Sequence, residues 1–159
     1  MLEKVGNLAD RWSDYTGPYP LSYKRDVVWG DCDPAGIIYT PRILDYAMET
    51  LEKWNREVLG VTWTKLTQEM SMGAPTVRVE IDFVDAPKPD DKMVSDLRVI
   101  AVGNSSVTYG VIGHNGQGRE YYRCKVISCY IARPAFTATP VPDVIRRRID
   151  AYRRGCGDI

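Results

Sequence analysis

Residues 27–44 read VVWGDCDPAGIIYTPRIL: carboxylates at Asp31 and Asp33, a thiol at Cys32 between them, then Pro34, Ala35 and Gly36 ahead of Tyr39 and Thr40. Two carboxylates at this spacing can serve three kinds of chemistry. They can shape a turn or cap a helix, because Asp hydrogen-bonds its own backbone. They can hold a hard cation such as magnesium, although no further Asp/Glu cluster clearly completes a shell. Or one of them can act as nucleophile or general base beside a polarised carbonyl. Cys32 is poorly suited to be the nucleophile itself, since a carboxylate on each side opposes thiolate formation, and it reads as a small filler.

Other reactive side chains are sparse. The only histidine, His114, falls in the Gly-rich stretch HNGQGRE and reads as a solvated loop-tip residue, so nothing builds a Ser-His-Asp arrangement. The cysteines, Cys32, Cys124, Cys129 and Cys156, contain no CxxC pair, which speaks against zinc; a core of this size does not need disulfides. Ser105 and Ser106 sit in the turn GNSS, and Arg146, Arg147 and Arg148 read as the solvated basic face of a closing helix.

The elements that must position these residues follow from composition and period. A chain of 159 residues, 44% hydrophobic, has the size of one domain with a real core. Lys+Arg and Asp+Glu both number 21, so no global field draws the chain to nucleic acid or to an anionic membrane. No basic-then-apolar leader opens the sequence and no stretch is long enough to span a bilayer, so a cytoplasmic protein is expected.

Residues 1–21 read as an N-terminal arm, punctuated by Gly17, Pro18 and Pro20, and residues 22–159 as a single domain. SYKRDVVW is a first strand ended by Gly30. From Pro41 the period changes: Ile43, Leu44, Ala47, Met48, Leu51, Trp54, Val58 and Leu59 recur at spacings of three and four, which predicts a helix over 41–59 with Thr40 as N-cap and Gly60 as its stop. A loop covering Thr62 to Gly73 precedes four strands: Val77 to Phe83, Met93 to Ala101, Val107 to Ile112, and Tyr121 to Ala132. PVPDVIRRRIDAYRR then closes the chain as a short helix capped near Gly155. Four consecutive strands joined by short turns make an antiparallel sheet, and the long helix must bury its apolar face against it, which defines an α+β fold.

The string GDCDPAGIIY, followed by that helix, resembles the 4-hydroxybenzoyl-CoA thioesterase branch of the hotdog-fold thioesterases, whose motif is D-x-D-x-x-G, two apolar residues and an aromatic. The order of elements fits from about Ser22 to Arg148. The resemblance implies a curved antiparallel five-stranded sheet wrapped around the central helix, a homodimer or homotetramer, and an acyl-CoA substrate bound where subunits meet. It implies Asp33 as the catalytic carboxylate and the backbone amide of Thr40 as the group that polarises the thioester carbonyl. Physical chemistry favours the second assignment independently, because N–H groups at a helix start lack internal partners and carry the positive end of the dipole.

Gly36 would let a thioester approach the backbone; Tyr39, with Trp29 and Trp63, would line an acyl pocket or equally a core; Ser106 falls where the family often has a serine near the pantetheine or acyl group. Two positions depart from the pattern: Thr40 stands where a related branch has His, and Arg42 where Asn is common, which disfavours histidine-assisted chemistry. Glu49 on the helix is a secondary candidate, because another branch uses a helix Glu. The expected activity is therefore hydrolysis of an aryl- or other compact acyl-CoA, with neither metal nor cofactor. A non-catalytic acyl-CoA or acyl-carrier-protein binding module is the alternative, and a dehydratase of the same fold a weaker one.

Overall fold

Strand β4 (Lys92–Val102) carries the clearest instance of the two-residue period: Met93, Ser95, Leu97 and Val99 are buried while the residues between them are half-exposed. A computed structural model describes residues 15–157 of the chain. In it β4 lies beside β1 (Leu21–Asp26) on one flank and β5 (Ser106–His114) on the other; β6 (Glu120–Cys129) and β3 (Thr76–Phe83) complete an antiparallel five-stranded sheet in the order β1-β4-β5-β6-β3. Register shifts between Val99 and Ala101, between Gly113 and His114, and between Thr76 and Arg78 add local twist, which curves the sheet.

Helix α1 (Thr40–Glu57) lies in the concavity with Ile43, Tyr46, Ala47, Leu51 and Trp54 buried. Trp54, fully buried, meets Tyr109 of β5 edge-on at 5.3 Å between ring centroids. Truncating such a ring to Ala costs about 3–5 kcal/mol. Helix α3 (Asp143–Cys156) closes the far end of the core: Tyr152 packs on Trp54 and its hydroxyl donates to the Leu97 carbonyl at 2.6 Å while accepting from the Leu21 amide at 2.8 Å. No helix among the described residues is long and apolar enough to cross a membrane.

The α+β class, the five-stranded sheet, the central helix and the C-terminal helix match the sequence expectation, and the differences are local. Residues 1–14 of the expected arm lie outside the described residues, and Tyr15 and Tyr19 pack against Tyr152. The first strand starts at Leu21 and stops at Asp26, after which Val27 is held against the β3–β4 loop by the hydrogen bond of its N–H to the Asp91 carbonyl and Trp29–Asp31 wind into a short 3-10 turn. The stretch expected as loop contains helix α2 (Trp63–Gln68), whose N-cap Thr62 accepts the Lys65 amide. Finally, the last strand does not run on to Ala132. The Tyr130 amide bonds the Ser105 carbonyl and the Tyr130 carbonyl takes the Thr139 amide, which pulls the chain out of the β6 ladder. Ile131–Ala132 (β7) instead joins Met72–Gly73 (β2) and Thr137–Ala138 (β8) in a small second sheet.

Candidate active site

The segment from Asp31 to Tyr39 folds as a narrow hairpin between the end of β1 and the start of α1. Its legs meet at a single bridge between Cys32 and Ile38, the Asp33 amide bonds the Ile37 carbonyl at 3.0 Å, and the Gly36 amide returns to the Asp33 carbonyl at 2.9 Å. Pro34 suits the second position of that turn, and Gly36 has φ 76° with no heavy atom within 4 Å of where a Cβ would lie, so the left-handed backbone itself calls for glycine. The outer leg is moored to the β3–β4 loop by the Ile38 amide on the Pro87 carbonyl, and the Tyr39 amide donates to the Asp31 carbonyl at 2.8 Å.

Asp33 is half-buried within this hairpin. Its Oδ1 accepts the Ala35 amide at 2.8 Å, the Asx turn its sequence context suggests, while Oδ2 has no partner among the described residues. One oxygen is therefore oriented by the backbone and the other is open.

The start of α1 supplies a complementary donor. Tyr39, not Thr40, is the N-cap: its backbone is extended, at φ −66° and ψ 123°, and its carbonyl accepts the Arg42 amide at 2.8 Å. Thr40 is the first helical residue and Pro41 has no N–H. Of the first three helical positions only Thr40 thus keeps an N–H without an acceptor among the described residues, at the positive end of an 18-residue helix. Beside Thr40 opens an apolar cleft of about 310 Å³ between Ile37, Ile38 and Ile43 on one wall and Phe83 and Val84 on the other. Asp85, ion-paired to Arg119 at 2.5 Å, marks its rim.

Asp31 occupies a different environment. It is 5% exposed, Oδ2 accepts the Tyr46 hydroxyl at 2.6 Å and lies 3.3 Å from Arg25, and Oδ1 lies 3.3 Å from Nε of Arg42. Arg25 stacks 3.9 Å from the Tyr46 ring centroid and reaches Glu49 at 2.5 Å, so Glu49 is held in an ion pair. Burial, and then the bond to Asp31, push the Tyr46 phenol well up, which keeps it a donor. The Cys32 thiol is likewise pushed up, by burial first and then by the charges of Asp31, Asp33 and Asp91.

The remaining candidates are distributed elsewhere. Tyr39 and Trp29 are exposed at the same end of the molecule as Asp33, whereas Trp63 lines a separate groove with Met48, Gly73 and Phe136. Ser106 begins β5 opposite Cys129, at the far end of the sheet, so a single chain does not bring it to Asp33. His114 is not a free tip: its Nε2 bonds Asp96 at 3.0 Å and its Nδ1 accepts the Gly116 amide, the proton therefore being on Nε2. Arg146 latches the β4–β5 turn through the Gly103 carbonyl. A further cleft, of about 660 Å³, lies between Arg98–Ile100 and residues 150–157 and is not lined by Asp33; Arg98 there donates to the Cys156 carbonyl, and the arginines complement the negative end of α3.

Sequence reasoning left the Asp31 cluster undiscovered. The signal for it was Arg42, Tyr46 and Glu49, spaced four and three apart on one stripe of the helix.

The family model described as the thioesterase-like superfamily matches residues 27–149. No curated protein matches the sequence. Among solved structures, a thioesterase-superfamily protein from Jannaschia sp. CCS1 is 26% identical, with a TM-score of 0.78 over 88% of this chain and 97% of that one. A 1,4-dihydroxy-2-naphthoyl-CoA thioesterase from Synechocystis is 20% identical, with a TM-score of 0.75 over 81% of this chain and 94% of that one. A Staphylococcus aureus protein solved in complex with CoA is 10% identical, with a TM-score of 0.83 over 92% of both chains. At those last two identities the likeness is one of fold.

Proposed function

Because the chain belongs to the thioesterase-like superfamily, we propose that it hydrolyses an acyl-CoA thioester to a carboxylate and free coenzyme A, with Asp33 and the Thr40 N–H as its working pair. The observation that carries this reading is local: a carboxylate oxygen on Asp33 and a helix-start amide on Thr40, neither with a partner among the described residues, are carried by one hairpin and the helix it leads into, and an apolar cleft opens beside Thr40.

The thioester carbonyl oxygen gains negative charge as its carbon is attacked. An N–H at the helix start, fixed in direction before the reaction, stabilises that charge without reorganising. Asp33 contributes in one of two ways. It attacks the carbonyl carbon, expelling the CoA thiolate and leaving a mixed anhydride that water opens, or it takes a proton from the attacking water. Solvent label in the Asp33 carboxylate after a single turnover in heavy-oxygen water would identify the anhydride route, since attack on the anhydride at the Asp33 carbon is the only step that writes solvent oxygen into the protein.

The cleft favours a compact acyl group. At about 310 Å³ it lies at the low end of small-molecule sites, and its Ile, Phe and Val walls suit an aryl or short branched group. The similarly folded Synechocystis protein is a 1,4-dihydroxy-2-naphthoyl-CoA thioesterase, which agrees with this choice, and the complex of the Staphylococcus aureus protein with CoA agrees with a CoA-linked substrate. Gly36 and Tyr39, both exposed on the same hairpin as Asp33, are assigned to substrate binding.

A second copy completes the account. β3 is an edge strand with Val77 and Phe83 exposed and is followed by exposed Val84, an edge that needs cover. Antiparallel pairing of two β3 edges in a homodimer would carry the Ser106 end of one copy toward the Asp33 end of the other, which is how Ser106 would reach substrate.

A thiol-release assay across aryl, short, branched and long acyl-CoA substrates tests the reading. The largest kcat/KM is expected for an aryl or compact acyl group. A preference for long chains would refute the acyl assignment, and CoA binding without thiol release from any substrate would turn the protein into a binding module.

A further inference from the structure

We infer that Asp31, Tyr46 and Arg25 form a positioning clamp that sets the placement of the Asp33 carboxylate against the Thr40 amide. This rests on the proposed roles of Asp33 and Thr40. The argument starts from connectivity. Asp31 is the root of the hairpin's inner leg, two residues before Asp33, and its carbonyl accepts the amide of Tyr39, the residue immediately before Thr40. Both working groups are thus covalently attached to residues fixed on Asp31.

The Asp31 side chain is in turn fixed from three directions. Tyr46 Oη, one and a half turns into α1, donates to Oδ2 at 2.6 Å; Arg25 on β1 approaches the same oxygen at 3.3 Å; Arg42 approaches Oδ1 at 3.3 Å. Arg25 is oriented by its stacking on the Tyr46 ring and by Glu49, which ties the sheet edge to the helix through a single guanidinium. A planar fork of this kind can satisfy two carboxylates and a ring face at once, which a lysine cannot. Loop, strand and helix consequently move as one body where Asp33 and Thr40 are held.

Such an arrangement matters because misplacement of reacting groups by about 1 Å costs up to ~100-fold in rate. A residue that merely stabilises the fold would instead act on every function of the protein together. The two roles therefore separate experimentally.

Tyr46→Phe is the informative variant, since it removes only the hydroxyl and keeps the ring beneath Arg25. The expected result is a fall in kcat of about tenfold with KM within about twofold, because positioning is expressed in the transition state. In an Asp33→Asn background the same substitution should lower kcat by no more than about twofold further, because its effect passes through Asp33. Hydrogen exchange supplies a readout independent of activity: amides of residues 31–40 should exchange at least about tenfold faster in Tyr46→Phe, with β4 and β5 unchanged. Arg25→Lys, which keeps the charge and loses the fork, should move both readouts in the same direction. Unchanged exchange over 31–40, faster exchange throughout the sheet, or full additivity with Asp33→Asn would overturn the clamp. If Asp33→Asn alone leaves turnover near wild type, the catalytic reading falls instead, and the exchange result then decides on the clamp by itself.

Discussion

Replacing Thr40 by proline isolates the oxyanion donor in a way that few backbone amides permit. Proline deletes the N–H, and three features of the structure say that the fold loses nothing with it. The Thr40 N–H has no acceptor among the described residues, so no hydrogen bond breaks. Thr40 is the first helical residue, where proline's fixed φ is already suitable. Tyr39, which would then precede a proline, has φ −66° and ψ 123°, within the extended range a proline demands of its predecessor. Stability should be unchanged or raised by up to about 1 kcal/mol through the stiffer unfolded chain. Catalysis should not survive so well: removing one oxyanion donor costs about 100- to 1,000-fold in kcat, or roughly 2.7–4 kcal/mol. Thr40→Ala, which keeps the N–H, is the control and should stay near wild type. The measurement is kcat by thiol release together with a thermal melt of each variant. A folded Thr40→Pro protein turning over within about threefold of wild type would refute the assignment of this amide, because no donor loss of the expected kind is that small.

Three further outcomes are expected. Light scattering at assay concentration should report at least a dimer, covering the β3 edge, and a fully active monomer would contradict this. Exhaustive EDTA treatment should leave hydrolysis unchanged, since the proposed cycle uses only Asp33 and a backbone amide; loss on chelation with recovery on magnesium or manganese would overturn the mechanism. Burial pushes the Cys124 thiol up from 9.0 to about 11 and raises the phenols of Tyr122 and Tyr130 as well. The unfolded chain therefore releases these protons at lower pH than the folded one, so stability is fully present below about pH 9 and falls as pH rises above it. A melting temperature that stays level to pH 11 would contradict the burial of these groups.

What the sequence disclosed depended on how far apart the cooperating residues lie. The central helix was legible because Ile43, Ala47, Leu51 and Trp54 repeat over several turns, and the turn at Asp33 because Asp-Pro-Ala-Gly carries its geometry in adjacent residues. The six residues of α2 span too little chain to establish a helical period. The break after Cys129 was hidden because Tyr130-Ile131-Ala132 continues to look like strand, and only the bonds of Tyr130 to Ser105 and Thr139 divert it. Least legible was the Asp31 cluster, where Arg25 and Glu49, 24 residues apart, meet through a fold that must form first. Asp31 and Asp33 look alike in sequence; their separation into a buried anchor and a half-open carboxylate is a product of the hairpin.

The most direct test of the central claim is kcat for Asp33→Asn beside Asp31→Asn, measured on the best substrate from the acyl-CoA panel with CoA binding followed by calorimetry. The amide at Asp33 is nearly isosteric and still accepts from the Ala35 N–H, so the hairpin and CoA affinity should persist. It can neither attack a carbonyl nor accept a proton from water, so kcat should fall by at least about 100-fold. Asp31→Asn should lose much less, because it disturbs positioning and leaves the reacting carboxylate in place. Near wild-type turnover in Asp33→Asn would contradict the account and return Asp33 to the role of a turn-former.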